Sequence, residues 1–374
     1  MTSKKIWIVA AGTGGHIFPG ISLAKTLLEK NPEFEIEFFG TPDRLESRLV
    51  PEHGFKLRYL TAGRWKGRGL WGKILGLFSL VGGFFQALAM IFREGRPLFL
   101  MSVGGYVSLP MALACGTVGV PVVLLEPNIR AGLANRVVSH WARFAFCSPG
   151  SDASRVFSCP VEELGSPLRS DIRPNAVQAK VSKILVLGGS QGAKGLNEAV
   201  MKAFKKLALQ EKGIHLKVQC GEAHLADAEK TKTELGLGPE VELLSFIKDI
   251  PAYLASTDLV VARAGAMTVA ELAASAMPTI FVPFPFAADD HQRKNAELLA
   301  DDGAAYCVDQ RDPQFTNKLE QSLLQLGSQN EVAFELRTKL SKRFLSWARP
   351  KASNDIALKL LSLTESSKRS TYGV

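Results

Sequence analysis

The sequence predicts an α/β protein built from two doubly wound, parallel-sheet domains, and three observations carry that prediction. The first is a strand, loop and helix at the start of the chain. The apolar run Ile6-Trp7-Ile8-Val9-Ala10-Ala11 meets Gly12-Thr13-Gly14-Gly15-His16, and a helical stripe of Ile21, Leu23, Ala24, Leu27 and Leu28 follows over residues 19–29. A second strand over 35–40 completes a βαβ unit. The second observation is the return of the same order about 175 residues later. There Ile184-Leu185-Val186-Leu187 meets Gly188-Gly189-Ser190-Gln191-Gly192-Ala193, and a helix is predicted over 197–209 on Val200, Phe204 and Leu207. Two such starts imply two sheets rather than one long one. The third is a set of short apolar runs, each ending in a turn. Residues 98–103 end in Gly104-Gly105-Tyr106, and 120–125 in Glu126-Pro127-Asn128. Residues 258–262 end in Arg263-Ala264-Gly265, and 278–282 in Pro283-Phe284-Pro285. In open parallel sheets ligands gather where strand C-termini open into loops, so these turns are the candidate site.

The bulk numbers agree. A chain of 374 residues, 46% hydrophobic and 22% charged, suits two globular cores. The boundary is placed near Gly165-Ser166-Pro167-Leu168-Arg169, giving domains over 1–165 and 166–344, with a helix over about 345–363 packing back on the first. Residues from Ser366 onward read as a loose polar tail. A net charge of +9 and a pI near 9.3 favour anionic partners such as phosphate-bearing ligands or an acidic membrane surface. Cys115, Cys147, Cys159, Cys220 and Cys307 form neither a zinc pattern nor a disulfide framework and suit a reducing cytosol. No export signal is expected, because the first strand starts at once.

Each motif has a functional reading and a plainer one. Glycines in the 12–15 loop let the backbone approach a ligand, and the helix behind offers N–H groups and a partial positive charge. The plainer reading is a tight turn. Ile17 stands where the dinucleotide fingerprint needs glycine, no Walker-type GK[ST] follows, and the second strand ends in Phe39-Gly40 without the acid that would hold an NAD ribose. His16 follows the glycines at a strand end, where an imidazole can act as general base. In the second half, Thr268 is placed near the N-cap of a helix over 269–276 with Glu271 in its first turn. Glu271 either complements the helix dipole or accepts hydrogen bonds from a ribose diol. Asp289-Asp290-His291-Gln292 has no second cluster at ligand spacing, so polar contacts to a sugar are favoured over a metal.

Residues 74–92 carry no charge over 19 positions. Arg64, Lys66, Arg68 and Lys73, interleaved with Trp65, Leu70 and Trp71, lie upstream. A buried helix or a membrane span would explain the apolar run alone. Basic and aromatic residues beside it favour peripheral attachment to an anionic membrane surface.

In this order and spacing the motifs resemble those of the MurG family, the undecaprenyl-diphospho-muramoylpentapeptide N-acetylglucosaminyltransferases. The resemblance spans roughly residues 4–360. It rests on the run from Gly12 to Gly20, on Gly104-Gly105-Tyr106-Val107-Ser108, on 188–193 with Asn197, and on Gly265-Ala266-Met267-Thr268-Val269-Ala270-Glu271. It implies the GT-B architecture and an inverting transfer of GlcNAc from UDP-GlcNAc to lipid I. The product would be lipid II, made for peptidoglycan synthesis at the cytoplasmic face of the bacterial inner membrane. No metal, cofactor or nucleic acid is implied, and cell-wall and division proteins are the expected protein partners. Residue by residue, Ser190, Ile247, Gly265, Ala266, Met267, Thr268, Val269, Ala270, Glu271, His291 and Gln292 match nucleotide-sugar contacts, and Arg169 matches an arginine near the diphosphate. Thr13, Gly14, Gly15 and Asn128 match the side facing the acceptor and the transferred sugar. His16 is the first candidate for the base and Glu126 the second. Many members carry His-Glu-Gln-Asn where this chain has Leu125-Glu126-Pro127-Asn128. Rival expectations are another GT-B enzyme, either a glycolipid transferase or a UDP-sugar 2-epimerase, and a non-enzymatic membrane-attached nucleotide sensor.

Overall fold

The central strands are buried on both faces, as strands of parallel sheets covered by helices are. The computed structural model describes residues 4–61, 70–168, 172–189, 192–287 and 290–371, with side chains described throughout except at 70–75, 77 and 364–371. It divides into two units, Met1–Ser170 with Arg349–Val374, and Asp171–Ala348.

Unit 1 runs β1 (Lys5–Ala10), α1 (Gly14–Lys30), β2 (Glu35–Gly40), α2 (Glu46–Glu52), β3 (Lys56–Tyr59), α3 (Leu70–Glu94) and β4 (Leu100–Gly104). It continues α4 (Ser108–Thr117), β5 (Val122–Glu126), α5 (Leu133–Val138), β6 (Phe144–Cys147), α6 (Ala153–Val156) and β7 (Val161–Glu162). The strands form one sheet in the order β3-β2-β1-β4-β5-β6-β7, parallel at every pairing. The period-2 alternation of β1 sends Trp7 and Val9 into one core and Ile6, Ile8 and Ala10 into the other. Each large apolar side chain so buried contributes about 1.5–3 kcal/mol.

Unit 2 runs β8 (Lys183–Leu187), α7 (Lys194–Lys206), β9 (His215–Gln219), α8 (Leu225–Glu234), β10 (Val241–Leu244), α9 (Ile250–Ala255) and β11 (Leu259–Ala262). It continues α10 (Ala266–Ala274), β12 (Thr279–Phe281), α11 (His291–Asp301), β13 (Tyr306–Cys307), α12 (Phe315–Gly327) and α13 (Glu331–Leu345). Its sheet has the order β10-β9-β8-β11-β12-β13, again parallel. Ile184 and Val186 face one core, Leu185 and Leu187 the other. The last helix, α14 (Ala352–Thr371), belongs to unit 1. Its Ile356, Ala357 and Leu360 are buried with Ile17, Ile21 and Ala24 of α1.

Several helix bounds differ from the sequence reading. Helix α1 begins at Gly14 and contains Pro19. Pro19 stands in the second turn, so the helix forgoes the hydrogen bond that its N–H would have given to the Gly15 carbonyl. Helix α10 begins at Ala266, three residues before the predicted start, because Ala266 and Met267 are good helix formers and Gly265 takes the extended cap conformation. Residues after Ser366, expected as a loose tail, continue α14 to Thr371. Among the described residues no helix is long and apolar enough to cross a membrane.

Candidate functional site

Each sheet has one point where the chain reverses direction across it, and the candidate residues gather there. In unit 1 this lies between β1 and β4, in unit 2 between β8 and β11.

At the unit 1 point the loop after β1 meets the loop after β4. His16 stands in the first turn of α1, half-buried. Its Nδ1 lies 3.2 Å from the Ala11 carbonyl oxygen. A carbonyl can only accept, so this contact favours a proton on Nδ1, which in the neutral ring puts the lone pair on Nε2. The imidazole lies against Gly104, where φ is +125° and an added Cβ would stand 3.2 Å from His16 Nε2. Glycine at 104 therefore makes room for the ring. Thr13 caps α1 without a side-chain hydrogen bond, and no acid occupies the first turn.

Glu126, at the end of β5, is 1% exposed. Its Oε1 accepts from the Asn128 N–H and Nδ2, both at 3.0 Å. Its Oε2 accepts from the Gly132 N–H at 2.9 Å and from Asn135 Nδ2 at 3.0 Å. Burial pushes its carboxyl above the usual carboxylate range, against the opposing pull of these donors. The carboxylate thus organises the turn over 127–132 and orients Asn128. Leu125 is buried in the core, and the Pro127 carbonyl accepts from Ser148 Oγ at 2.7 Å. Those two positions supply packing and backbone here, and no imidazole or side-chain amide.

At the unit 2 point the loop over 188–192 leads into α7, and Gly265 leads into α10. Neither helix has a side-chain cap or an acid in its first turn. By contrast α9 and α13 are capped by Asp249 and Asn330. Uncapped N-termini keep N–H groups and positive potential for an anionic ligand. Ala266 and Met267 are buried, while Thr268, Val269 and Ala270 are half-buried. Glu271 is 6% exposed and lies beyond the first turn expected for it. The Ile247 side chain is in the core with Ile250 and Leu254. His291 opens α11, and Gln292 Oε1 accepts from the Phe284 N–H at 3.0 Å. Asp290 pairs with Arg293 and Arg311. Among the described residues no group of three or more potential metal ligands is present. Arg169, Ser190, Gln191 and Asp289 lie outside the described residues, as do Arg64, Trp65, Lys66 and Arg68.

Two polar residues that the sequence reading did not single out belong to these sites. Arg263, 6% exposed, donates through Nη1 to the Val282 and Pro283 carbonyls at 2.9 Å and lies over the Phe284 ring. No carboxylate among the described residues pairs with it, and burial pushes its guanidinium down to about 10. Glu46, fully buried, accepts from the Gly12 N–H at 3.0 Å. The arginine after the apolar run 258–262 was a visible signal; nothing local marks Glu46.

Two doubly wound units, each opening at its reversal point onto uncapped helix N-termini, are the architecture of GT-B type enzymes. The models of the glycosyltransferase family 28 N-terminal and C-terminal domains match residues 6–147 and 183–349. A UDP-N-acetylglucosamine--N-acetylmuramyl-(pentapeptide) pyrophosphoryl-undecaprenol N-acetylglucosamine transferase from Shewanella frigidimarina is 38% identical, over 89% of this chain and 90% of its own length. Its counterpart from Burkholderia thailandensis is 36% identical over 95% of each chain. The crystal structure of MurG from Acinetobacter baumannii superposes with a TM-score of 0.74 at 28% identity, covering 96% of this chain and 99% of that one. The chain belongs to glycosyltransferase family 28, among its UDP-N-acetylglucosamine-dependent N-acetylglucosaminyltransferases.

Proposed function

We propose that the chain transfers N-acetylglucosamine from UDP-N-acetylglucosamine to the C4 hydroxyl of the muramoyl sugar of lipid I, forming lipid II. The names of the relatives supply the donor and acceptor. The observation that carries the reading is the division of chemistry between the units. Unit 1 holds a histidine whose Nδ1 meets the Ala11 carbonyl oxygen at 3.2 Å, a contact that favours the lone pair on Nε2, and unit 2 holds uncapped N-termini and the buried Arg263 cation.

In this mechanism the acceptor hydroxyl attacks the anomeric carbon of the donor while His16 Nε2 takes its proton. The new C–O bond forms as the bond to the diphosphate breaks, which inverts the anomeric centre and gives a β(1→4) link. UDP leaves with added negative charge. The N-termini of α7 and α10, with Arg169, oppose that charge without a metal. Glu271 and Gln292 contact the nucleotide sugar, and Glu126 acts through Asn128, which faces the transferred sugar. Incubation with labelled UDP-N-acetylglucosamine and a lipid I analogue should give a lipid-linked disaccharide. Absence of that product overturns the reading. A 2-epimerised nucleotide sugar formed without acceptor would identify an epimerase instead, and binding without turnover a sensor.

The reading extends to peripheral attachment at an anionic membrane surface. Helix α3 buries Gly83, Ala87 and Ile91, yet its opposite face carries Phe78, Phe85 and Phe92 at 71%, 62% and 75% exposure. Exposing three phenylalanines at helical spacing to water is unfavourable unless something apolar covers them. Replacing these three with serine should reduce sedimentation with anionic vesicles while leaving the melting temperature within about 3 °C. Unchanged sedimentation would remove the membrane from this reading. Ile91, in the same apolar run, is 3% exposed and unsuitable for that test.

A further inference from the structure

One peptide unit in the first glycine loop is held at both of its polar atoms. The Ala11 carbonyl oxygen accepts from His16 Nδ1 at 3.2 Å. The N–H of the same peptide, carried by Gly12, donates to Glu46 Oε2 at 3.0 Å. Glu46 Oε1 accepts from the Thr41 N–H at 3.1 Å and from the Thr41 hydroxyl at 2.9 Å. Glu46 is 0% exposed, and its donors among the described residues are all neutral. Gly40 makes room for it, since a Cβ there would lie 2.6 Å from Glu46 Cγ.

A carboxylate buried without a cation is costly, and an apolar side chain would pack at such a place with less penalty. Its presence calls for a role that needs an acceptor or a charge. We infer that Glu46 is a positioning residue for His16, acting through the Ala11–Gly12 peptide. Accepting the Gly12 N–H polarises the peptide and makes the Ala11 oxygen a stronger acceptor. The stronger acceptor holds the proton on Nδ1 and so keeps the lone pair on Nε2. When Nε2 takes the acceptor hydroxyl's proton, the imidazolium charge is balanced through the same chain by the Glu46 carboxylate. No proton leaves Glu46 or the peptide. In the Ser-His-Asp triad a carboxylate orients the imidazole by direct contact; here a peptide bond stands between them. The inference rests on the reading of His16 as the base.

The test compares the full-length protein with Glu46→Gln, using nitrogen-15 histidine labelling to read the His16 tautomer, together with steady-state kinetics. Glutamine keeps the shape but turns an N–H₂ toward donors. The wild type should show the Nδ1-protonated tautomer. Glu46→Gln should show a mixture, with kcat lowered about tenfold and KM for UDP-N-acetylglucosamine held. An unchanged tautomer in Glu46→Gln overturns the inference, whatever happens to activity. A shifted tautomer alongside full activity in His16→Ala leaves the coupling standing and overturns the base assignment. Should Glu46→Gln fail to fold, the wild type alone decides. A Gly12 amide proton at the downfield edge of the glycine region, as a carboxylate-bonded N–H requires, and the Nδ1 tautomer support the coupling; lack of either overturns it.

Discussion

Replacing His16 with alanine should lower kcat by about 10²–10⁴ at saturating substrates, the range a positioned general base supplies. KM for UDP-N-acetylglucosamine should stay within roughly twofold, because His16 is not among the proposed donor contacts, most of which belong to unit 2. The fold gives this experiment an internal control. The imidazole is held by the Ala11 carbonyl and lies against the Gly104 backbone. Alanine leaves a ring-sized space beside a carbonyl that can still accept. Added imidazole should enter it and restore part of the lost rate, more so as its neutral fraction rises with pH. Loss of activity with a lowered melting temperature and no rescue would make His16 a structural residue. Near-full kcat would return the proton to some other acceptor, and Glu126 is poorly placed for it, since both its oxygens already accept from two donors each.

The residues legible in the sequence are those whose signal is local. Strands β1 and β8 read clearly because both faces are apolar and a glycine loop follows each. His16 read clearly because it adjoins such a loop. Strand β3 carries the polar pattern Lys56-Leu57-Arg58-Tyr59, because it is an edge strand whose Lys56 and Arg58 pair with Glu37 of β2. Strands β7 and β13 are two residues each, too short for any periodicity to emerge. Glu46 escaped notice for a different reason. It bonds to a residue 34 positions away, and that proximity exists only once β1 and β2 lie side by side. Arg263 likewise takes its partners from 19 and 20 residues further on. Glu126 was visible at a strand end, but its four donors come from the turn that folds back on it and from Asn135 of α5, and these favour orienting Asn128 over accepting a proton. Spacing identifies where a sheet opens; which polar group holds the opening in shape depends on pairings between strands.

Gly192→Ala should destabilise unit 2 by more than about 4 kcal/mol, the level reached when backbone conformation and packing fail together. The residue has φ +75°, and an added Cβ would lie 1.7 Å from the Cys220 carbonyl oxygen and 2.5 Å from its carbon. Neither atom can turn aside. The Cys220 N–H is bonded to the Leu244 carbonyl at 2.7 Å, which fixes this segment directly after β9. Relief requires moving the loop away from the sheet, and with it the start of α7, whose uncapped N-terminus is proposed to face the diphosphate. Gly189→Ala is the matched comparison. Its φ is +86°, but nothing lies within 4 Å of the added Cβ, so the cost should be the conformational part alone, about 1–2 kcal/mol. Urea unfolding of both variants separates the contributions: the difference between them reports the clash, and the Gly189→Ala value reports the left-handed backbone. If Gly192→Ala unfolds within about 1 kcal/mol of Gly189→Ala, the loop relaxes cheaply, and its glycine answers to the approach of a ligand more than to the packing of the sheet.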